Sequence, residues 1–318
     1  VQVGDLLVSV SGRLVRHPRD VVSALAHIRD GGETEVRLVR KGTEETVVLN
    51  FAAGAEKKAA NHESQTGTPD CPYAHAICET RQAVFPVESF DPLASSVRIG
   101  KNLLVTNRHV VADKESVTVF TPAGPLKGAV IPTAYEGDLA LIEVDALPED
   151  AFVFDLSQEP DLGETLQSVG ADIAQRQVRV FQPGNLLSEP DPKAALGRLH
   201  VTSFMQPGVS GGALVDADGT LAGITVGGGQ GRYEAIPVAD VRLLFLLKSA
   251  PEAYSVQIAL GEALASCAAA MDKLSSAPRN AANMEVTAAV EAECLSARNQ
   301  GQYLEAGRLL GSAGAFDA

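Results

Sequence analysis

From Cys71 to about Ala250, short apolar runs alternate with turns built from Gly, Pro and Asp. Leu103–Thr106, Val117–Phe120, Leu139–Val144, Leu199–Val201, Ala213–Val215 and Leu221–Val226 are the clearest runs. Segments this short, so regularly punctuated, read as strands joined by tight turns. An antiparallel barrel or sandwich is the expected architecture, and the chain is expected to be mainly β.

The flanks differ. Residues 1–52 mix strand and helix signals: Leu6 to Val10 alternates, Asp20 to Ile28 has helical spacing ending at Gly31-Gly32, and Glu35–Arg40 and Glu45–Leu49 read as a hairpin turning at Lys41-Gly42. The pattern "VGDLLVSVSGRLVRHPRDVVSAL…GGETEVRLVRKGTEETVVL" resembles the C-terminal two thirds of a PDZ domain. That resemblance implies a module that binds peptide C-termini by strand addition, with its carboxylate loop upstream of Val1. A small α/β spacer without a binding role is the alternative. The opening on Val1 reads as a chain whose natural start lies further upstream. Residues 53–70 are a polar linker. Residues 251–318 are Ala-rich and helical, with one helix expected over Ser255–Leu274 and a second over Met284–Arg298. Beyond them, Gly301 to Ala313 looks like part of a tetratricopeptide repeat, or a helix packed on the β domain.

Charge and cysteine usage narrow the function classes. The 318 residues carry a net charge of −14, the opposite of the basic footprint that nucleic-acid binding requires. The most apolar run, Val241–Leu247, contains Arg242 and stops at Lys248, too short for a membrane span. Cys71, Cys78, Cys267 and Cys294 show neither Cys-x-x-Cys pairing nor zinc-finger spacing to His, so no metal site is expected. Two disulfides are expected, which favours an oxidising compartment; four buried thiols are the alternative. Cys267 and Cys294 lie equidistant from the helix break at Pro278-Arg279-Asn280, so a staple across a helical hairpin is geometrically natural.

Three islands in the middle segment carry chemistry. In Leu103-Leu104-Val105-Thr106-Asn107-Arg108-His109-Val110-Val111 an apolar strand ends just before His109. In Tyr135-Glu136-Gly137-Asp138-Leu139-Ala140-Leu141-Ile142-Glu143-Val144 a carboxylate opens an apolar strand just after Gly137, placed to be half-buried and to orient an imidazole. In Gln206-Pro207-Gly208-Val209-Ser210-Gly211-Gly212 glycines on both sides of a serine allow a tight turn. Such a turn can aim the N–H groups of Gly208 and Ser210 at one point, as an oxyanion hole requires. Alone, each island has a bland reading: a structural histidine, an Asp turn, a Gly-rich loop.

Together they occur in the order His, Asp, Ser, and "LLVTNRHVV", "GDLALIEVD", "GVSGGALVDADGTLAGI" and "EAIPVADVRLL" resemble trypsin-like serine proteases of the HtrA (Deg) type over roughly residues 82–248. The resemblance implies a chymotrypsin-like double β-barrel at 71–250. It also implies peptide-bond hydrolysis through an acyl-enzyme, with Ser210 as nucleophile, His109 as base and Asp138 as its orienter. Protein or peptide substrates, a role in quality control or regulated proteolysis, and a periplasmic or extracytoplasmic location go with it; no cofactor is called for.

Two residues depart from the family pattern. Val209 cannot form the ion pair by which digestive relatives are activated, and HtrA-type enzymes usually carry Asn there. Pro207 removes an N–H and pre-sets the loop. The resemblance implies a specificity pocket lined by Phe204, Met205, Thr225, Val226 and Gly227, with no acid to hold Lys or Arg, so a small to medium apolar residue is expected before the scissile bond. A catalytically silent scaffold that binds partners through PDZ-like and helical modules is the competing reading.

Overall fold

The computed structural model describes residues 6–10, 13–14, 33–40, 43–50, 71–149, 152–163, 165–172, 177–190, 196–229, 231–276 and 292–294. Residues group into two compact units, Val1–Ser64 and Gln65–Ala318.

In the first unit, β1 (Leu6–Val10), β2 (Arg13–Leu14), β3 (Glu33–Arg40) and β4 (Thr43–Asn50) form one antiparallel sheet in the order β2-β1-β3-β4. The expected hairpin is present: β3 and β4 pair from Glu33↔Asn50 to Arg40↔Thr43. Thr34, Val36 and Leu38 are buried while Glu33, Glu35 and Arg37 face solvent, the period of two that a half-buried strand requires. The helix expected over Asp20–Ile28 lies outside the described residues.

The second unit opens with a short helix, α1 (His75–Glu79), closed by a disulfide between Cys71 and Cys78. Six strands then close into a barrel: β5 (Val84–Glu88), β6 (Ala94–Gly100), β7 (Leu103–Thr106), β8 (Ser116–Thr121), β9 (Gly124–Ile131) and β10 (Ala140–Val144), ordered β10-β7-β6-β5-β8-β9. A second set follows: β11 (Thr165–Ala171), β12 (Val178–Val180), β13 (Gly184–Ser188), β14 (Leu199–Val201), β15 (Ala213–Val215), β16 (Leu221–Gly229) and β17 (Arg232–Pro237). These run β12-β11-β13-β14-β17-β16-β15, and pairing of β11 with β15 closes a second six-stranded ring with β12 attached to its side. Closure leaves few free edges, so each ring buries its inner face.

Three apolar clusters result. Val87, Leu104, Val119 and Ile142 fill the first barrel, and Leu166, Leu199, Val201 and Leu214 the second. The third cluster joins residues of both barrels, among them Val97, Val105, Leu141, Val169, Ala213 and Ile224. Helix α3 (Val238–Leu246) adds Val241 and Leu244 to it. The barrels therefore share an apolar seam, and side chains at its rim are held by both.

A final helix, α4 (Ala253–Ser276), covers the helix expected over Ser255–Leu274. A Cβ on its Gly261 would lie 2.4 Å from the Ala112 carbonyl oxygen, so the glycine permits close packing on the first barrel. Cys267 of α4 is disulfide-bonded to Cys294. Apart from residues 292–294, the second helical segment and the repeat-like Gly301–Ala313 lie outside the described residues. Among the described residues no helix is long and apolar enough to cross a membrane.

Candidate active site

Strand β7 delivers the chain to a single helical turn, α2 (Arg108–Val111), which carries His109. The turn ends at Ala112, whose φ of 43° stops the helix. Asp138 lies two residues before β10, the strand paired with β7, so sheet register brings the two together: Ala140 sits opposite Thr106. One carboxylate oxygen of Asp138 accepts the main-chain N–H of His109 at 2.9 Å, and the other lies 2.9 Å from His109 Nδ1. An ionised carboxylate only accepts, so Nδ1 carries the proton and Nε2 is the ring's basic nitrogen. Asn107 supports the pair by donating its amide to the Asp138 carbonyl at 3.1 Å.

The Asp138 side chain has no exposed surface. Burial pushes its carboxyl up, but His109, through charge and hydrogen bonding, and Arg198 outweigh burial and hold it down to about 2. Arg198, itself buried, places Nη2 3.9 Å from Asp138, while its Nη1 has no hydrogen-bond partner among the described residues. Behind the pair, fully buried Arg108 donates to the carbonyls of Gly137 and Tyr135 and to Gln257 Oε1 on α4. Burial lowers the Arg108 guanidinium to about 10 against the attraction of Asp138. The Tyr135 hydroxyl donates to Asp240 on α3 at 2.7 Å; burial and that carboxylate raise the phenol well above its ordinary value.

The serine loop comes from the second barrel. Gln206 to Val209 close a turn through Val209 N–H donating to the Gln206 carbonyl at 3.1 Å. Pro207 takes the second position and Gly208, with φ 101°, the third, the pattern of a type II turn. Gly211 N–H donates to Thr225 O and Gly212 N–H to Val209 O, whereas those of Gly208 and Ser210 donate to no acceptor among the described residues. The hydroxyl of Ser210 donates its proton to the Val226 carbonyl at 2.7 Å. Gly211 seats the loop against the first barrel: a Cβ there would lie 2.3 Å from Thr106 Oγ1 and 3.2 Å from Asn107 N, two residues before His109. The loops bearing His109 and Ser210 thus meet at the rim of the shared seam.

The remaining expected residues separate. Phe204 is 42% exposed and its ring meets Phe181 and Tyr233 with centroids 6.1 Å from each. Met205 is buried in the second barrel's core. Thr225 turns its hydroxyl to the Val209 carbonyl at 2.7 Å, with Val226 buried and Gly227 half-buried beside it. Val209 is fully buried against Gly170, where a carboxylate would be unsolvated. Among the described residues no group of three or more His, Cys, Asp or Glu side chains could hold a metal ion.

A family profile described as a trypsin-like peptidase domain matches residues 94–224, the stretch holding all three islands. This segment is therefore similar to a trypsin-like peptidase domain. The chain is 24% identical over 174 residues to the serine protease Rv3671c of Mycobacterium tuberculosis, covering 48% of this chain and 41% of the relative. It is 28% identical over 133 residues to a Do-like HtrA serine protease of Lactobacillus helveticus, covering 39% and 32%. The chain thus spans about two fifths or less of the length of the curated relatives it matches. Among solved structures, the active form of the Rv3671c protease aligns with a TM-score of 0.47 at 22% identity, covering 57% of this chain and 92% of that one.

Several residues around the His109–Asp138 pair have no role expected from the sequence. Arg108 lies inside the His109 island, where a cation next to a candidate base was a readable signal. Tyr135 sits three residues before Asp138. Arg198 and Asp240 carry no local signal, because only the packing of β14 and α3 brings them to the site.

Proposed function

We propose that the peptidase domain is a serine endopeptidase of the HtrA type, acting through Ser210, His109 and Asp138. The observation that carries this is the pairing of a buried, ionised Asp138 with Nδ1 of His109, beside a loop whose Gly208 and Ser210 N–H groups are unengaged among the described residues. Ser210 Oγ turns from Val226 toward His109 Nε2 as substrate arrives, gives it the proton, and attacks the scissile carbonyl carbon. The oxyanion forms at the N–H groups of Gly208 and Ser210. His109 passes the proton to the leaving amine as the C–N bond breaks, and water, deprotonated in turn by His109, releases the acyl group. Asp138 holds the imidazole tautomer and offsets its positive charge.

A small to medium apolar residue before the scissile bond suits Phe204, Val226 and Gly227, none of which is an acid. The substrates are proteins or peptides. The two disulfides favour an extracytoplasmic setting. In this reading residues 1–52 are a PDZ-like module, 71–250 the protease and 251–318 a helical region. The Ser210 hydroxyl's bond to Val226 favours a second reading, a silent scaffold.

A fluorophosphonate probe separates the two. Wild type is expected to label and to cleave an unfolded protein, with Ser210→Ala doing neither. Folded wild type that neither labels nor cleaves would leave the scaffold.

A further inference from the structure

One buried hydroxyl connects the elements that must meet for that chemistry. Ser95, on β6 of the first barrel, has no exposed surface. Its Oγ donates to the Gly208 carbonyl at 2.7 Å and accepts the N–H of Ala171, on β11 of the second barrel, at 2.8 Å. Its main-chain N–H donates to the Ser210 carbonyl at 2.8 Å. Its carbonyl accepts the hydroxyl of Thr106, three residues before His109, at 2.7 Å. A single residue therefore grips the carbonyls of the two residues whose N–H groups form the hole, and is tied to the strand that delivers the base.

The loop's other peptide groups show why this matters. The Val209 carbonyl is held by Gly212 N–H and the Thr225 hydroxyl, which aims the Ser210 N–H. The peptide joining Gly208 and Val209 is held at both ends, by the Ser95 hydroxyl and the Gln206 carbonyl. Without the hydroxyl, the Gly208 carbonyl loses its tether to the first barrel, and the Ala171 N–H is buried without a partner. The neighbouring Pro207–Gly208 peptide, which carries the other donor, then keeps only its own turn geometry to orient it.

We propose that Ser95 is a positioning residue that sets the oxyanion donors of Gly208 and Ser210 in register with His109. This rests on the catalytic reading above, and the test has one arm that does not. Ser95→Ala, Ser95→Cys and the control Ser96→Ala are compared with wild type in the full chain. Ser96 is equally buried, but its hydroxyl donates to Phe85 O, away from the loop.

In peptide cleavage, Ser95→Ala is expected to lower kcat about 10²-fold with KM changed less than about threefold, the pattern of a lost transition-state contact. Affinity for a peptide aldehyde, which binds as a hemiacetal oxyanion, should fall in parallel, while affinity for the matching peptide acid should not. Ser96→Ala should change kcat less than about threefold. Ser95→Cys keeps a weak donor and should lie between, which decides the matter if Ser95→Ala does not fold. In the other arm, amide exchange over residues 206–212 should quicken in Ser95→Ala and not in Ser96→Ala. Equal kcat and aldehyde affinity in the two alanine variants, or unchanged exchange at 206–212 in Ser95→Ala, overturns the proposal. An inert wild type sinks the catalytic reading alone, and exchange still decides the clamp.

Discussion

Acid should unfold this domain partly through Asp138, and replacing that residue by Asn measures how much. The carboxyl titrates at about 2 in the folded protein against 3.8 as an isolated group. At about 1.4 kcal/mol per pH unit, a drop of this size is worth on the order of 2 kcal/mol. A folded-state value below the unfolded one means that this stability is fully present above about pH 4 and is lost as pH falls toward 2. Asp138→Asn removes the titration but keeps the shape, so the main-chain N–H of His109 retains an acceptor. It also leaves Arg198 buried beside a neutral amide, a pH-independent cost. Urea unfolding of both proteins from pH 2 to 5 is the assay. The gap between the two curves should level off near pH 5 and narrow by about 2 kcal/mol on the way to pH 2. A gap that stays flat over the whole range would show that His109 and Arg198 do not hold the carboxylate ionised, and the electrostatic account of the pair would fail.

Gly211→Ala should destabilise the fold by about 3 kcal/mol, because φ is 82° and the new methyl would lie 2.2 Å from the Ser95 carbonyl oxygen; a thermal midpoint within a degree of wild type contradicts this. The disulfides should differ in worth. Loop-closure entropy puts the 27-residue Cys267–Cys294 link at about 3.5 kcal/mol and the 7-residue Cys71–Cys78 link at about 2.5. Denaturant unfolding of the paired Cys→Ala variants should rank them in that order.

Much of the fold follows from local pattern. The runs Leu103–Thr106, Leu199–Val201 and Ala213–Val215 coincide with β7, β14 and β15, because a strand of a closed barrel must be apolar on the side it buries. The Pro-Gly pair in the serine loop meets the demands of one turn type, so that turn was equally readable. Two disulfides form as expected, and the Cys267–Cys294 link is the one anticipated from spacing about the helix break. Met205 shows where reading by position stops: the residue adjacent to the loop is as apolar as a pocket wall or a core filler, and it fills the core.

By itself the amino-acid order determined the short strands, the tight serine turn and the three chemical islands with their sequence, because alternation and glycine placement act over a few residues. Only the packed barrels decided that Arg198 faces Asp138, that Tyr135 finds Asp240, that the Ser210 hydroxyl rests on Val226 and that Ser95 grips the loop. Those contacts join positions between 16 and 113 residues apart, and a buried polar group takes whichever partner the closing of two sheets presents to it.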